Sequence, residues 1–106
     1  MVEIIWTEPA LADLDAIADY IAIENSAAAS ELVQRVFRHV EQLETHPKSG
    51  SKPPELKGAR YRQITEPPCR VCDRTDAKRV YILYVMRSEQ LLRKTWLTSR
   101  EKTPKI

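Results

Sequence analysis

The sequence predicts an α+β fold: an N-terminal strand, an antiparallel helical hairpin, then a three- to four-stranded antiparallel sheet. Three observations lead there. A short apolar run, Val2 to Trp6, opens the chain, and apolar residues then recur at three- and four-residue spacing as far as Leu43. From Arg60 to Arg87, β-branched and aromatic residues are bounded by Pro67-Pro68 and by the polar turn Thr75-Asp76-Ala77-Lys78. The length, 106 residues, is that of one domain with a modest core.

Val2 to Trp6 carries a single charge, Glu3, and reads as a strand. Thr7 offers a hydroxyl cap, with Glu8 and Pro9 in the first turn of a helix, where both are tolerated. Leu11, Leu14, Ala18 and Ile21, joined by Ala10 and Ile17, form its apolar stripe, and Asp13, Asp15, Asp19 and Glu24 carry the charge. Asn25-Ser26 interrupts the pattern. A second helix is expected from a Ser26 cap to about Glu44, with Ala29, Val33, Val36, Val40 and Leu43 on one stripe and Leu32 and Phe37 beside it. The break is short, so the helices should fold back on each other as scaffold. Thr45-His46-Pro47 ends the second helix, since proline cannot continue it.

Pro47 to Ala59 changes to Lys, Ser, Gly and Pro and reads as a connection. Strands are expected at Arg60–Thr65, Cys69–Arg74 and Val80–Arg87, paired with their sequence neighbours. Leu91 to Thr98 fits a fourth strand or a short helix equally well. Ser99 to Ile106 is polar and expected to fray, within a single domain of residues 1–106.

Charge divides the chain. Residues 1–50 carry three basic against nine acidic side chains, net −6; residues 51–106 carry fourteen against six, net +8. An acidic helical layer and a basic sheet follow, and the basic side suggests an anionic partner. Strict alternation places Cys69, Val71 and Asp73 on one side of the middle strand and Arg70, Cys72 and Arg74 on the other. It also groups Val80, Ile82, Tyr84 and Met86 against Tyr81, Leu83, Val85 and Arg87. With Val71 toward the helices, an open groove lined by Arg70, Arg74, Arg87 and Arg62, with Tyr81 or Tyr61, is expected on the far side. Arginine suits bidentate contact with phosphate or carboxylate.

Cys69 and Cys72 form a C-x-x-C. In a strand, residues three apart face opposite ways, and His39 and His46 are a poor supply of further ligands, so structural thiols are expected and no metal or cofactor is implied. No nucleophile motif or glycine-rich phosphate loop is present. The groups available for proton transfer are Lys52, Glu55, Lys57, Tyr84 and Lys94, none marked by spacing. No apolar run approaches ~18 residues and no signal peptide is visible, so a cytoplasmic, reduced protein that meets no membrane is expected.

Taken in order, Trp6 ending the first strand, Ala10-x-x-Asp13-Leu14-x-x-Ile17-x-x-Tyr20-Ile21, Leu43-x-x-x-Pro47-x-x-Gly50, Pro68-Cys69-Arg70-Val71 and Val80 to Arg87 resemble the RelE/ParE superfamily of type II toxins, and its ParE branch more closely. The resemblance implies a toxin neutralised by a cognate antitoxin whose flexible C-terminal segment folds onto it. ParE-type relatives bind DNA gyrase and trap its cleaved complex, which makes this chain a non-enzymatic binder. Arg62, Arg70, Arg74, Tyr81, Arg87, Arg93, Lys94 and Trp96 are then the expected partner contacts. RelE-type relatives instead cut mRNA in the ribosome, and the alternative is such an endoribonuclease, with Arg70 and Arg87 catalytic. That branch also uses a Tyr or His near the C-terminus, and residues 91–100 contain neither. An inactive antitoxin-binding relative is the third reading. The chain departs from the ParE pattern at Cys72-Asp73, where an aromatic pair is usual. Asp73 falls on the core side, so either it is paired or the strand is bulged.

Overall fold

In the computed structural model, which describes residues 1–56 and 60–101, Thr7 both ends the first strand and starts the first helix. β1 (Glu3–Trp6) runs directly into α1 (Glu8–Ala22). The Thr7 hydroxyl accepts from the Ala10 N–H at 3.3 Å and donates to the Ile82 carbonyl at 2.9 Å, so a buried side chain caps the helix and ties it to the sheet. α2 (Ser26–Glu41) is capped by Asn25 rather than Ser26: Asn25 Oδ1 accepts from the Ala28 N–H at 3.0 Å. Ser26 is the first helical residue. A 3₁₀ turn at Gln42–Glu44 closes the hairpin near the expected end.

Three strands follow, β2 (Tyr61–Glu66), β3 (Cys69–Thr75) and β4 (Arg79–Arg87). The sheet order is β1-β4-β3-β2. β2, β3 and β4 pair antiparallel as expected, whereas β1 lies parallel to β4, because the helical hairpin and two further strands separate them along the chain. The sheet is therefore mixed. The segment left open by the sequence becomes α3 (Lys94–Arg100). Residues 99–101, expected to fray, belong to packed structure: Ser99 and Arg100 are helical, and Glu101 is ion-paired to Arg60 and Arg74.

Each face of the sheet has its own core. Ala10, Leu14, Leu32, Val36, Val40 and Leu43 of the hairpin pack against Ile64, Cys69, Val71, Val80, Ile82 and Val85. On the opposite face Tyr61, Cys72, Leu83 and Met86 are buried with Leu56, Leu92 and Leu97, flanked by Tyr81, Tyr84 and Trp96. A β-bulge decides which residues of β4 face which core. Cys72 pairs with Tyr84 but Asp73 pairs with Ile82, leaving Leu83 as the extra residue. Val85 therefore joins Val80 and Ile82 under the helices, and Met86 joins Leu83 on the far side. The strict alternation expected for this strand fails after Leu83, with Leu83 and Tyr84 on the same side.

The connection closes tightly onto β2. Ser51 exchanges two backbone hydrogen bonds with Gln63, at 2.7 and 2.9 Å. A Cβ on Gly50 would lie 2.6 Å from the Gln63 carbonyl oxygen, so a side chain there would push the connection off the sheet. Cys69 and Cys72 are free, buried and divided between the two cores, and burial pushes both thiols up, Cys72 to about 12.

Candidate functional site

The arginines of the far face do meet carboxylates, and the same chain supplies them. Arg70 is only 5% exposed. Its Nη1 donates to Glu55 Oε1 at 3.1 Å and to Gln63 Oε1 at 3.0 Å, and its Nη2 to Glu55 Oε2 and to the Gln90 carbonyl, both at 2.5 Å. Glu55 sits in a short 3₁₀ turn, Pro54–Leu56, and also accepts from the Leu92 N–H at 3.1 Å. One carboxylate thus joins the connection, β3 and the approach to α3. Hydrogen bonding to the Arg70 guanidinium holds the Glu55 carboxyl down at about 2, against the opposing effect of burial. An acid so firmly ionised is a poor proton carrier near neutrality.

The neighbouring cations are tied in the same way. Arg74 Nη1 lies 3.0 Å from Glu101 Oε1, while Arg60 and the Tyr61 hydroxyl each reach Glu101 Oε2 at 3.0 Å. Arg100 pairs with Asp13 of α1, donates to the Leu83 carbonyl at 3.1 Å, and lies 3.7 Å over the Tyr84 ring. Asp13 in turn accepts from the Val85 N–H at 3.1 Å. β1 pairs no further than Ile82, so α1 and α3 together cap the backbone of β4 beyond the bulge. Tyr84 stacks on Trp96 with centroids 5.8 Å apart.

The expected single groove is therefore not present. Arg70 and Arg74 share the far face, but it is closed by Glu55, Glu101 and α3. Arg62 faces the helix side with Ile64, donating to the Gly50 carbonyl at 3.1 Å. Arg87 is likewise on the helix side: the bulge reverses the expected facing, and Arg87 pairs with Glu89 and lines a hollow of about 500 Å³ with Ala16, Ile17 and Tyr20. Arg70 and Arg87, the pair a nuclease would need, lie on opposite faces. Tyr81 is half-buried against the far core. Arg93 and Lys94 stand exposed at the start of α3, with Trp96 half-buried behind them. Of the other proton-transfer candidates, Lys52 is exposed and Lys57 lies outside the described residues.

Beside Arg70 a hollow of about 540 Å³ remains, lined by Pro54, Glu55, Gln63, Thr65, Ser88 and Leu91. The residues that shape this region and that alternation missed are Glu55 as a clamp, Glu101, and the Asp13–Arg100 pair. Leu92, Trp96 and Leu97 at four- and five-residue spacing were the available signal that a helix brings Arg100 and Glu101 back to the sheet. Asp73 is fully buried, and among the described residues nothing hydrogen-bonds either carboxyl oxygen. Burial pushes its pKa up to about 7, opposed by the charge of Arg62, its cross-strand neighbour, and slightly by the nearby Thr75 hydroxyl, whose proton goes to the Pro47 carbonyl. The bulge expected of Asp73's own strand is instead carried by β4, opposite it: Leu83 is the extra residue and Asp73 stays buried.

Among the described residues no group of three or more His, Cys, Asp or Glu is placed to hold a metal ion, and no helix is long and apolar enough to cross a membrane. No curated protein matches the chain. A solved structure, the chromosomal ParDE toxin-antitoxin system from P. aeruginosa, is similar to it at 29% identity and a TM-score of 0.69, covering 84% of this chain and 98% of that one. The family described as the ParE toxin of the type II toxin-antitoxin system parDE matches residues 4–92, which span the first strand, the hairpin, the bulged sheet and the approach to α3. With the fold and most of its length accounted for in this way, the chain belongs to the ParE toxin family.

Proposed function

We propose that this chain inhibits DNA gyrase by binding it, without catalysing a reaction, and that a cognate antitoxin neutralises it through its C-terminal segment. The observation that carries the reading is the commitment of Arg70. A ribonuclease would need that guanidinium to reach a phosphate, and here both terminal nitrogens are spent on Glu55, Gln63 and Gln90. Family membership supports the antitoxin partner. Among the described residues Arg93 and Lys94 stand exposed at the start of α3 without an ion-pair partner, with Trp96 beside them, and we assign them to gyrase. The hollow of Ala16, Ile17, Tyr20 and Arg87 combines apolar walls with a cation at its margin, which suits an acidic-hydrophobic antitoxin segment. Both partners would be met in the cytoplasm.

The test is direct. Purified chain added to gyrase should inhibit supercoiling and accumulate linear DNA, and added antitoxin should reverse both effects. Gyrase that is unaffected by excess chain overturns the proposal. Codon-phased mRNA cuts that need Arg70 would establish the ribonuclease reading instead.

A further inference from the structure

The helical hairpin is the acidic half of the molecule: α1 carries Glu8, Asp13, Asp15 and Asp19 and no Lys or Arg. The first fifty residues hold three basic side chains, Arg35, Arg38 and Lys48. Two of them converge, with His39 and Gln42, on one hollow of about 320 Å³ between α2 and β2, whose remaining wall is Glu66. Positions 35, 38, 39 and 42 share one face of a helix, so the convergence is set by spacing on a rigid element.

Glu66 organises the floor of this hollow. Its Oε1 lies 3.2 Å from Arg35 Nε and its Oε2 lies 3.1 Å from His39 Nδ1, and Arg35 Nη2 also donates to the Pro67 carbonyl at 3.0 Å. Arg35 and His39 are thereby held in place, and the negative charge of the hollow is already matched by Arg35. Arg38 has no ion-pair or hydrogen-bond partner among the described residues, and neither does the Gln42 side chain. With Nδ1 turned to Glu66, His39 keeps Nε2 as a second hydrogen-bonding atom. A phosphate oxygen seated in the hollow would meet the ring at Nε2, with Nδ1 on Glu66.

We propose that this hollow is a binding site for a phosphate group, gripped by Arg38, His39 and Gln42 over the Arg35–Glu66 floor. Arginine offers the planar bidentate contact that phosphate oxygens accept. A volume of about 320 Å³ is near the low end for a ligand pocket, which fits one phosphate and its immediate substituent better than a whole nucleotide. The phosphate could come from a free phosphorylated molecule or from a nucleic-acid backbone. The site lies on the helix side of the sheet, away from Arg70, and does not depend on gyrase being the target.

The full-length chain, titrated with inorganic phosphate and followed by amide and arginine Nε–Hε NMR signals, should show saturable shifts at Arg38, His39 and Gln42. Sodium chloride at the same ionic strength should not reproduce them. Arg38→Gln should weaken phosphate binding roughly tenfold or more at unchanged melting temperature, as expected for loss of a charge-assisted contact. His39→Gln should weaken it too, and Lys48→Gln should leave it unchanged. Shifts reproduced by chloride, or binding undiminished in both Arg38→Gln and His39→Gln, would overturn the site. Adenosine monophosphate and a short DNA duplex separate the sources: whichever binds more tightly, with sensitivity to Arg38→Gln, identifies the natural phosphate.

Discussion

Each face of the sheet holds a carboxyl group, one fully buried and one half-buried, and the two are treated in opposite ways. Under the helices Asp73 has no hydrogen-bond partner among the described residues and is pushed up to about 7 by burial, whereas on the far face Glu55 is gripped by Arg70 and held at about 2. The helix side is closed by aliphatic shape, with Asp73 an intruder that Arg62 only partly offsets. The far side is closed by ion pairs at its margins, Glu55–Arg70, Glu101–Arg74 and Asp13–Arg100, around a smaller aromatic-rich core. A basic strand thus need not await an external anion. Two acidic residues distant in sequence, Glu55 and Glu101, satisfy it from within.

If the far face is closed by charge, removing one partner of its most buried pair should cost more than a surface ion pair would. Arg70→Ala leaves the Glu55 carboxylate without its main partner and should destabilise the chain by about 3–5 kcal/mol, read by urea denaturation. The double substitution Arg70→Met with Glu55→Met should recover most of that loss, because burying two apolar side chains avoids the stranded charge. A stable, folded Arg70→Ala would mean that the pair is ornamental and that Arg70 is free to serve a ligand.

The two carboxyls also set opposite limits on pH. Folded Asp73 keeps its proton up to about pH 7 against an ordinary 3.8, so its contribution is fully present below about 4 and is lost as pH rises through 7. At 1.36 kcal/mol per pKa unit the loss is on the order of 4 kcal/mol. Folded Glu55 is depressed from 4.5 to about 2, so its contribution is present above about 4.5 and disappears as pH falls toward 2. Denaturation midpoints measured from pH 3 to 9 should fall on both sides. Asp73→Asn should flatten the alkaline limb and leave the acid limb, and Glu55→Gln should do the reverse.

The difference between the faces also explains what the sequence could disclose. The helix side was largely readable because its chemistry is periodic: of the stripe Ala29, Val33, Val36, Val40 and Leu43 all but the partly buried Val33 are buried, with Leu32 from beside the stripe, and the strand residues Val71, Val80 and Ile82 follow from spacing. The far side depends on meetings that leave no local pattern, such as Glu55 with Arg70 across fifteen residues or Asp13 with Arg100 across eighty-seven. One bulge misplaced Tyr84, Val85, Met86 and Arg87, since a period of two transmits a single extra residue to everything after it. Asp73 marked that spot in the sequence, but the bulge expected in its own strand is carried by the neighbouring one.

A smaller effect tests the seam where the faces meet. Arg100→Ala removes the ion pair to Asp13, the hydrogen bond to the Leu83 carbonyl and the packing on Tyr84, and leaves Asp13 on the Val85 N–H. A cost of about 2 kcal/mol is expected for partly buried charge-assisted bonds. Hydrogen exchange should locate it in α3 and in residues 83–85, while Val36 and Val40 of α2 keep their protection. Uniform loss of protection would mean that the two faces unfold as one.

The smallest expected change in stability belongs to Arg93→Ala with Lys94→Ala, because both side chains are exposed and the end of α3 opposite them is fastened by Arg100 and Glu101. The denaturation midpoint should not move. If the far face meets its target through the cations that the chain's own carboxylates leave over, the same double substitution should nonetheless weaken gyrase inhibition, and the weakening should resemble that caused by raising the salt concentration on the parent chain. Full inhibition by the double variant would shift the contact to the helix side, where Arg87 and Tyr20 border the apolar hollow, and would make the far face purely structural.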